Sequence, residues 1–194
     1  FAIPVGDANH LYYRDNGVAG TFATPITTTK ADPAIADFDA DYPYGTARSW
    51  YRISLSGSDL NVTGALTIDG TTQPGYSVAG GPVIEINAAG VSASDANGLT
   101  LTTGASTVRG LVINSAGDQG IEVDTGAGGS TIVGNYIGTD VSGTVARANR
   151  WSGVGIKSSN VLVGGTSAAD RNVISGNATS GYGGVEVYNS ASGA

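Results

Sequence analysis

A repeated phrase constrains the fold of this chain more than any other feature. In it a glycine is followed by an apolar residue, a residue of any character and a second apolar residue. Because alternate side chains of a β-strand point to the same face, each phrase is typical of a short strand with one buried face. The phrase occurs four times at intervals of 22 to 33 residues, at residues 98–101, 120–123, 153–156 and 184–187.

A second set of aligned positions follows the first three phrases. A repeat of this length indicates a solenoid, a propeller or an array. The strands are too short for a four-stranded propeller blade of about 40 residues, and no helical periodicity is long enough for a leucine-rich or doubly wound fold. We therefore predict an all-β parallel β-helix with coils about 4.8 Å apart. The predicted columns are Val108, Ile132 and Leu162; Gly110, Gly134 and Gly164; and Ile113, Ile137 and Ile174, with residues 165–171 as an inserted loop.

The N-terminal quarter of the chain lacks the phrase. Nine of the fourteen aromatic residues lie within the first 51 positions. A solenoid exposes unpaired backbone groups at each end, so we predict an irregular, aromatic-rich cap over residues 1–50. The β-helix then covers residues 51–194 in about five coils, with early strands at 50–55, 62–69 and 83–87.

The strings themselves carry a resemblance. IDGTTQPGY at residues 68–76, then PVIEIN, NGLTL, STVRGLVIN, GNYIGTD and RNVISGN, resemble the parallel β-helix repeats of very large bacterial secreted and cell-surface proteins, which are relatives in fold of the pectate lyases. The resemblance covers residues 65–194. It implies a right-handed β-helix on an exported, often multidomain protein, and it implies no single activity.

Composition limits the classes of partner. Charged residues make up 13% of the chain and the formal net charge is −7, which argues against nucleic acid as a partner. The apolar runs are far shorter than the roughly 20 residues of a membrane span. Low charge with abundant Gly, Ser, Thr and Asn is typical of an extracellular or cell-surface repeat protein. Because the chain begins at Phe1 and contains no Met, we expect a processed product or a fragment of a longer parent.

An acidic cluster in the cap is the candidate metal site. Asp37, Asp39 and Asp41 alternate along the chain, and convergent carboxylates are ligands that Ca²⁺ prefers. The EF-hand pattern fails, because its sixth position is Tyr42 instead of glycine. A solvated acidic loop without a cofactor is the favoured interpretation, with calcium as the alternative.

Glutamates and aromatic residues of the repeats form the candidate glycan face. Glu122 and Glu186 would stack two coils apart, roughly 10 Å along the ladder, which is close to the upper limit of about 9.5 Å for an inverting glycosidase pair. Aromatic rings can stack on sugars. Outward glutamates, Glu85 included, mostly provide solubility, and no Asp, His and Arg cluster surrounds them, so we expect no enzyme. The aromatic candidates are Tyr136, Trp151, Tyr182 and Tyr188.

The remaining polar column is structural in this interpretation. Asn135 and Asn172 align in the second strand column, and Asn114 and Asn177 follow strand ends. Stacked asparagines can hydrogen-bond from coil to coil. The expected function is a non-enzymatic extracellular structural solenoid, a surface fibre or adhesin element. Its expected partners are further copies, stacked end to end with the aromatic segment 1–50 of one copy docked on the open last coil of the next, or further repeats of a longer parent. A polysaccharide-binding or polysaccharide-acting module is the alternative.

Overall fold

A computed structural model describes residues 1–21, 24–42, 48–91, 96–178 and 181–188 of the chain. Within these ranges it contains short β-strands, two 3₁₀ turns (Gly70–Thr72 and Ala168–Asp170) and no helix long and apolar enough to span a membrane. The strands are β1 (His10–Tyr13), β2 (Pro25–Thr27), β3 (Ser49–Ser56), β4 (Leu60–Val62), β5 (Thr67–Asp69), β6 (Ile84–Gly90), β7 (Leu99–Thr103), β8 (Thr107–Arg109), β9 (Leu111–Asn114), β10 (Ile121–Gly126), β11 (Thr131–Val133), β12 (Tyr136–Ile137), β13 (Val154–Ile156), β14 (Leu162–Val163), β15 (Val173–Ile174) and β16 (Val185–Val187).

The strands form three parallel sheets that run along a solenoid. The first sheet contains β3, β6, β9, β12 and β15, the second β4, β7, β10, β13 and β16, and the third β5, β8, β11 and β14. Each coil contributes one strand to each sheet in chain order. The described residues therefore form four complete coils and two strands of a fifth, and the predicted all-β parallel β-helix is confirmed.

Most of the predicted register is confirmed by the strand pairing. The four phrases stack in one column, with Ile121 opposite both Leu99 and Val154, and Val154 opposite Val185. Ile137 likewise lies between Ile113 and Ile174. The side chains in these columns are fully buried through most coils. Burying one aliphatic side chain of this size contributes about 1.5–3 kcal/mol, so the stacked columns supply much of the driving force for folding.

Two predictions about the strands are wrong. Ile132 pairs with Val163 and not with Leu162, which is 53% exposed, so Gly164 leaves its predicted column as well. The corner before β14 turns through Asn160, with φ of 59°. The residue that pairs with Ile132 therefore comes one position later in the sequence than the alignment predicts. The strand expected over residues 62–69 is divided in two, because the chain must turn from the second sheet to the third between β4 and β5.

An asparagine ladder holds successive coils together at the corners. The Asn135 side chain accepts a hydrogen bond from the Leu111 N–H (3.1 Å) and donates one to the Val108 carbonyl (3.0 Å). The Asn135 N–H in turn donates to the side chain of Asn172 (2.9 Å). Because corners leave backbone groups outside the strand ladders, buried side-chain amides must satisfy them. The predicted structural role of this column is confirmed.

The N-terminal residues close the first coil of their own chain. Strand β1 pairs antiparallel with β3 and β2 pairs antiparallel with β1, so the ladder of the first sheet changes direction there. Tyr13, Tyr42 and Trp50 are buried together against the outer face of the first sheet, and Ile3 packs against the solenoid core. These three aromatic side chains are therefore buried within the chain that carries them.

We predict that Asn135→Ala destabilises the solenoid strongly. The change leaves the buried Leu111 N–H without its partner and removes one of the hydrogen bonds to the Val108 carbonyl, which also pairs in the β8–β11 ladder, at a cost of about 1–3 kcal/mol in the free energy of unfolding. Urea denaturation followed by circular dichroism measures this loss. The matched control is Asn61→Ala, because the exposed Asn61 amide binds only the Asp59 side chain. Similar losses for both variants would contradict the ladder's structural role.

Candidate functional site

The acidic residues of the cap do not converge on one point. Asp37 accepts hydrogen bonds from the Tyr12 hydroxyl (2.7 Å) and the Arg14 guanidinium (2.8 Å), and the hydrogen bond from Tyr12 is the main cause that lowers the pKa of Asp37. Asp39 is buried and caps the Asp41 N–H, while Asp41 accepts from a backbone N–H of a different loop. Among the described residues, no three His, Cys, Asp or Glu side chains are grouped to hold a metal ion. The three carboxylates of the alternative calcium interpretation therefore make separate contacts.

Glu85 is a structural residue and not a solubilising one. It is almost fully buried and accepts hydrogen bonds from the indole of Trp50 (2.7 Å), the guanidinium of Arg52 (2.8 Å) and the amide of Asn114 (3.0 Å). A buried carboxylate requires this number of donors, because desolvation would otherwise be costly. The expectation that Glu85 merely provides solubility is wrong, because the cap covers the outer face of the first sheet.

The outer face of the second sheet brings the other two glutamates together with a lysine. Glu122 and Glu186 flank Gly155 in the ladder, as the phrase alignment predicts. Lys157 lies on the same face, and its ammonium group contacts Glu122 at 2.8 Å. The side chain of Glu122 is mostly buried in this pair, so this charge is also not simply solvated.

The gap above Gly155 is filled by the Gln119 side chain. A Cβ atom at residue 155 would lie within 2.2 Å of the Gln119 Oε1 atom, so only glycine leaves room for this amide. The Gln119 amide donates to the Tyr188 hydroxyl (2.7 Å), which donates to Glu186 (3.0 Å). Burial first, and then the hydrogen bond to Glu186, raises the pKa of Tyr188. We call Gln119, Glu122, Lys157, Glu186 and Tyr188 the polar face.

The two carboxylates of the polar face are separated by the Gln119 amide. Both carboxylates already accept hydrogen bonds, and the Gln119 amide occupies the position between them in the ladder. An inverting glycosidase keeps that space for a water molecule. The Gln119 Oε1 atom is buried and has no hydrogen-bond partner. Because this atom is buried, the half-buried side chains of Lys157, Glu186 and Tyr188 are the polar groups of this face that solvent reaches.

Two aromatic rings border the polar face. Trp151 and Tyr182 lie two residues before their phrase glycines in successive coils. Their rings stack nearly parallel, with centroids 4.4 Å apart and an interplanar angle of 8°. The backbone N–H of Trp151 donates to the backbone carbonyl of Asp118 (3.0 Å), which is one residue before Gln119. The Tyr182 side chain is 40% exposed, so the stack presents an aromatic surface beside the polar groups.

Tyr136 belongs to a different part of the surface. It lies on β12 in the first sheet, and its ring fills the space next to Gly81 and Gly143. Its grouping with the other predicted glycan-binding residues is therefore wrong. The sequence pattern located Tyr136 in a second-column strand, but it could not show that this strand joins the sheet covered by the cap.

At the C-terminal end of the described solenoid, the final strand of each sheet has one edge without a partner strand among the described residues. β14, β15 and β16 are the final strands of their sheets within the described residues. Val185 and Val187 pair with the buried Val154 and Ile156, so they point toward the core, yet Val187 is 71% exposed. Ile174, Val163 and Val185 line a depression of about 580 Å³ at this end. This end thus combines exposed core side chains with polar loop residues, and its strand edges have no partner among the described residues.

Several residues of the polar face escaped sequence reasoning. Gln119 and Lys157 carry no motif of their own, and only their positions beside the phrase, one before Gly120 and one after Ile156, could have indicated that they flank the glutamate column.

Comparison of the chain with protein-family models, curated proteins and solved structures finds no match.

We predict that Gly155→Ala disrupts the polar face. The new methyl group displaces the Gln119 amide and breaks its hydrogen bond to Tyr188, which costs on the order of 1 kcal/mol in the free energy of unfolding. Urea denaturation measures the loss, and a crystal structure of the variant shows the displaced side chain. Gly64→Ala is the control, because a Cβ atom there meets no atom within 4 Å. An unmoved Gln119 would contradict this account.

Proposed function

We propose that this chain is a non-enzymatic structural β-solenoid, a fibre or adhesin element of the cell surface, on whose open coil further coils stack. The observation that carries the proposal is the exposure of Val185 and Val187 in columns that are otherwise buried. An exposed parallel edge with apolar side chains is a template for pairing. Stacking another coil on β14, β15 and β16 would extend the same three ladders.

The two ends differ in how they could join. At the cap end β1 already covers the edge of β3, whereas the outer edges of β4 and β5 have no partner strand among the described residues. A second copy stacking head to tail would pair its β4 with β16. Its β5 would then lie two coils beyond β14, because β16 belongs to the fifth coil and β14 to the fourth, so the second sheet carries the proposed junction. The partners proposed are therefore a second copy or further repeats of a longer parent. Low charge and the polar corners support an extracellular setting.

Val187→Lys should abolish self-association. We expect the unaltered chain to form larger species as concentration rises, because burial of the open coil is favourable, while a lysine at residue 187 places a charge in that junction. Analytical ultracentrifugation and electron microscopy measure particle size. The matched control is Val78→Lys, because Val78 is 54% exposed on a lateral loop. A monomeric unaltered chain at every concentration would overturn self-association and leave further repeats as the partner.

A second candidate function rests on the aromatic stack. We propose that Trp151 and Tyr182 hold a sugar ring at the edge of the polar face, with Glu122 and Glu186 as hydrogen-bonding groups. The nearly parallel stack and the exposure of Tyr182 favour this assignment. The ligand class would be a neutral or weakly charged polysaccharide of a surface, which agrees with an adhesive role.

Tyr182→Ala tests the glycan proposal. The loss of one ring contact of about 0.5–1.5 kcal/mol should weaken binding about two- to tenfold. Binding of neutral glucose, mannose and galactose hexasaccharides is measured by calorimetry and by tryptophan fluorescence. Phe1→Ala is the control, since Phe1 is an exposed aromatic residue near Thr72 in another part of the molecule. Equal effects of both variants, or no binding by the unaltered chain, would contradict the proposal.

A further inference from the structure

Three polar side chains form a continuous hydrogen-bonded chain where the cap meets the solenoid. His10 lies on β1 and is only 1% exposed. Its Nδ1 atom is 2.8 Å from the Val5 carbonyl oxygen, and its Nε2 atom is 2.6 Å from the Ser49 hydroxyl oxygen. The Ser49 oxygen is 2.5 Å from an Asp32 carboxylate oxygen. This hydrogen-bonded chain of side chains thus links an N-terminal segment, β1, β3 and a cap loop.

The number of protons shared by His10, Ser49 and Asp32 follows from the acceptors in their hydrogen bonds. A carbonyl oxygen can only accept, so the Nδ1 atom of His10 must carry a proton. The two remaining hydrogen bonds, Nε2 to Oγ and Oγ to Oδ1, need two protons, and the Ser49 hydroxyl supplies one. One further proton is required. It resides either on His10, facing an Asp32 carboxylate, or on Asp32, facing a neutral imidazole, and the two arrangements belong to one coupled titration.

The surroundings favour retention of that proton. The Tyr51 ring stacks on His10 with centroids 4.4 Å apart, which keeps water from the imidazole. Burial is the largest effect on Asp32 and raises its pKa, although its hydrogen bonds with Ser49 and the charges of Arg48 and His10 act in the opposite direction. Asp7 contributes a further negative charge near Tyr51.

We propose that His10, Ser49 and Asp32 form a one-proton latch that fastens the β1–β2 pair to the solenoid and releases it when the proton is lost. Without that proton the Ser49 hydroxyl can donate to only one neighbour, and a buried polar atom is left unpaired. Such an atom is costly in a dry site. Opening the latch would free the edge of β3, which β1 covers when the latch is closed.

The direction of the pH dependence follows from linkage. In the proposed latch, loss of the shared proton leaves a buried polar atom unpaired in the folded chain only, so the latch contributes its stability while the proton is bound. The contribution is lost as pH rises through the folded-state titration. Within that range the unfolding equilibrium constant should rise by up to about tenfold per pH unit, the slope for one proton.

The first measurement follows the latch in the complete chain. His10 is the only histidine, so its ring resonances in NMR report the titration without ambiguity. Trp50 lies next to Ser49 and is buried, and in a Trp151→Phe background it becomes the only tryptophan. We expect the His10 resonances and the Trp50 fluorescence to change over the same pH range. A titration of His10 with no change at Trp50 would overturn the latch.

Asp32→Asn provides the decisive variant. An asparagine amide can donate to the Ser49 oxygen, which lets Ser49 donate to a neutral His10, so every hydrogen bond is made without the extra proton. Its urea midpoint should therefore stay constant over the range in which that of the unaltered chain falls. Ser49→Ala should remove the pH dependence and lower the midpoint at every pH. The same pH slope in Asp32→Asn and the unaltered chain would overturn the proposal, and this readout is independent of self-association and of glycan binding.

Discussion

The parallel ladder between coils is the constraint on which the rest of the structure depends. Because each strand pairs in register with the same strand of the next coil, every side chain lies above its equivalent, about 4.8 Å away. Apolar columns such as Leu99, Ile121 and Val154 then form a continuous core. A column that contains polar groups must satisfy them along the same axis, which is how Asn135 and Asn172 act at the corner. One rule therefore governs both the core and its polar boundaries.

The same rule determines what the surface can do. Like charges in adjacent coils of one column would repel each other, and the second sheet separates Glu122 from Glu186 by Gly155. That gap admits the Gln119 amide, and the neighbouring column provides Lys157 and Tyr188 as partners for the two carboxylates. The polar face is thus a product of stacking and of one missing side chain. Its groups are held in fixed positions by these contacts.

The fold was largely predictable because stacking repeats its signal in the sequence. Four phrases with alternating apolar residues were enough to predict the second sheet and most of the core. Leu162 was misplaced because one corner residue shifts a short strand, and apolar character alone cannot distinguish Leu162 from Val163. The candidate site was less predictable. Gln119 acts across two coils, Tyr136 faces the cap, and Glu85 is covered by Trp50, so each depends on contacts between segments that the repeat does not encode.

The two ends of the described solenoid differ in how the edges of their strands are covered. At the first coil an antiparallel pair of strands covers the edge of β3, and a reversed strand ends the parallel ladder. At the last described coil the ladder stops with core residues exposed. In a stack of copies, the β1–β2 pair of the incoming copy would occupy the space in which β15 needs its parallel partner. In the proposed stack, a closed cap therefore limits a head-to-tail junction to the second sheet, and the proposed release of the cap would make the first sheet available as well.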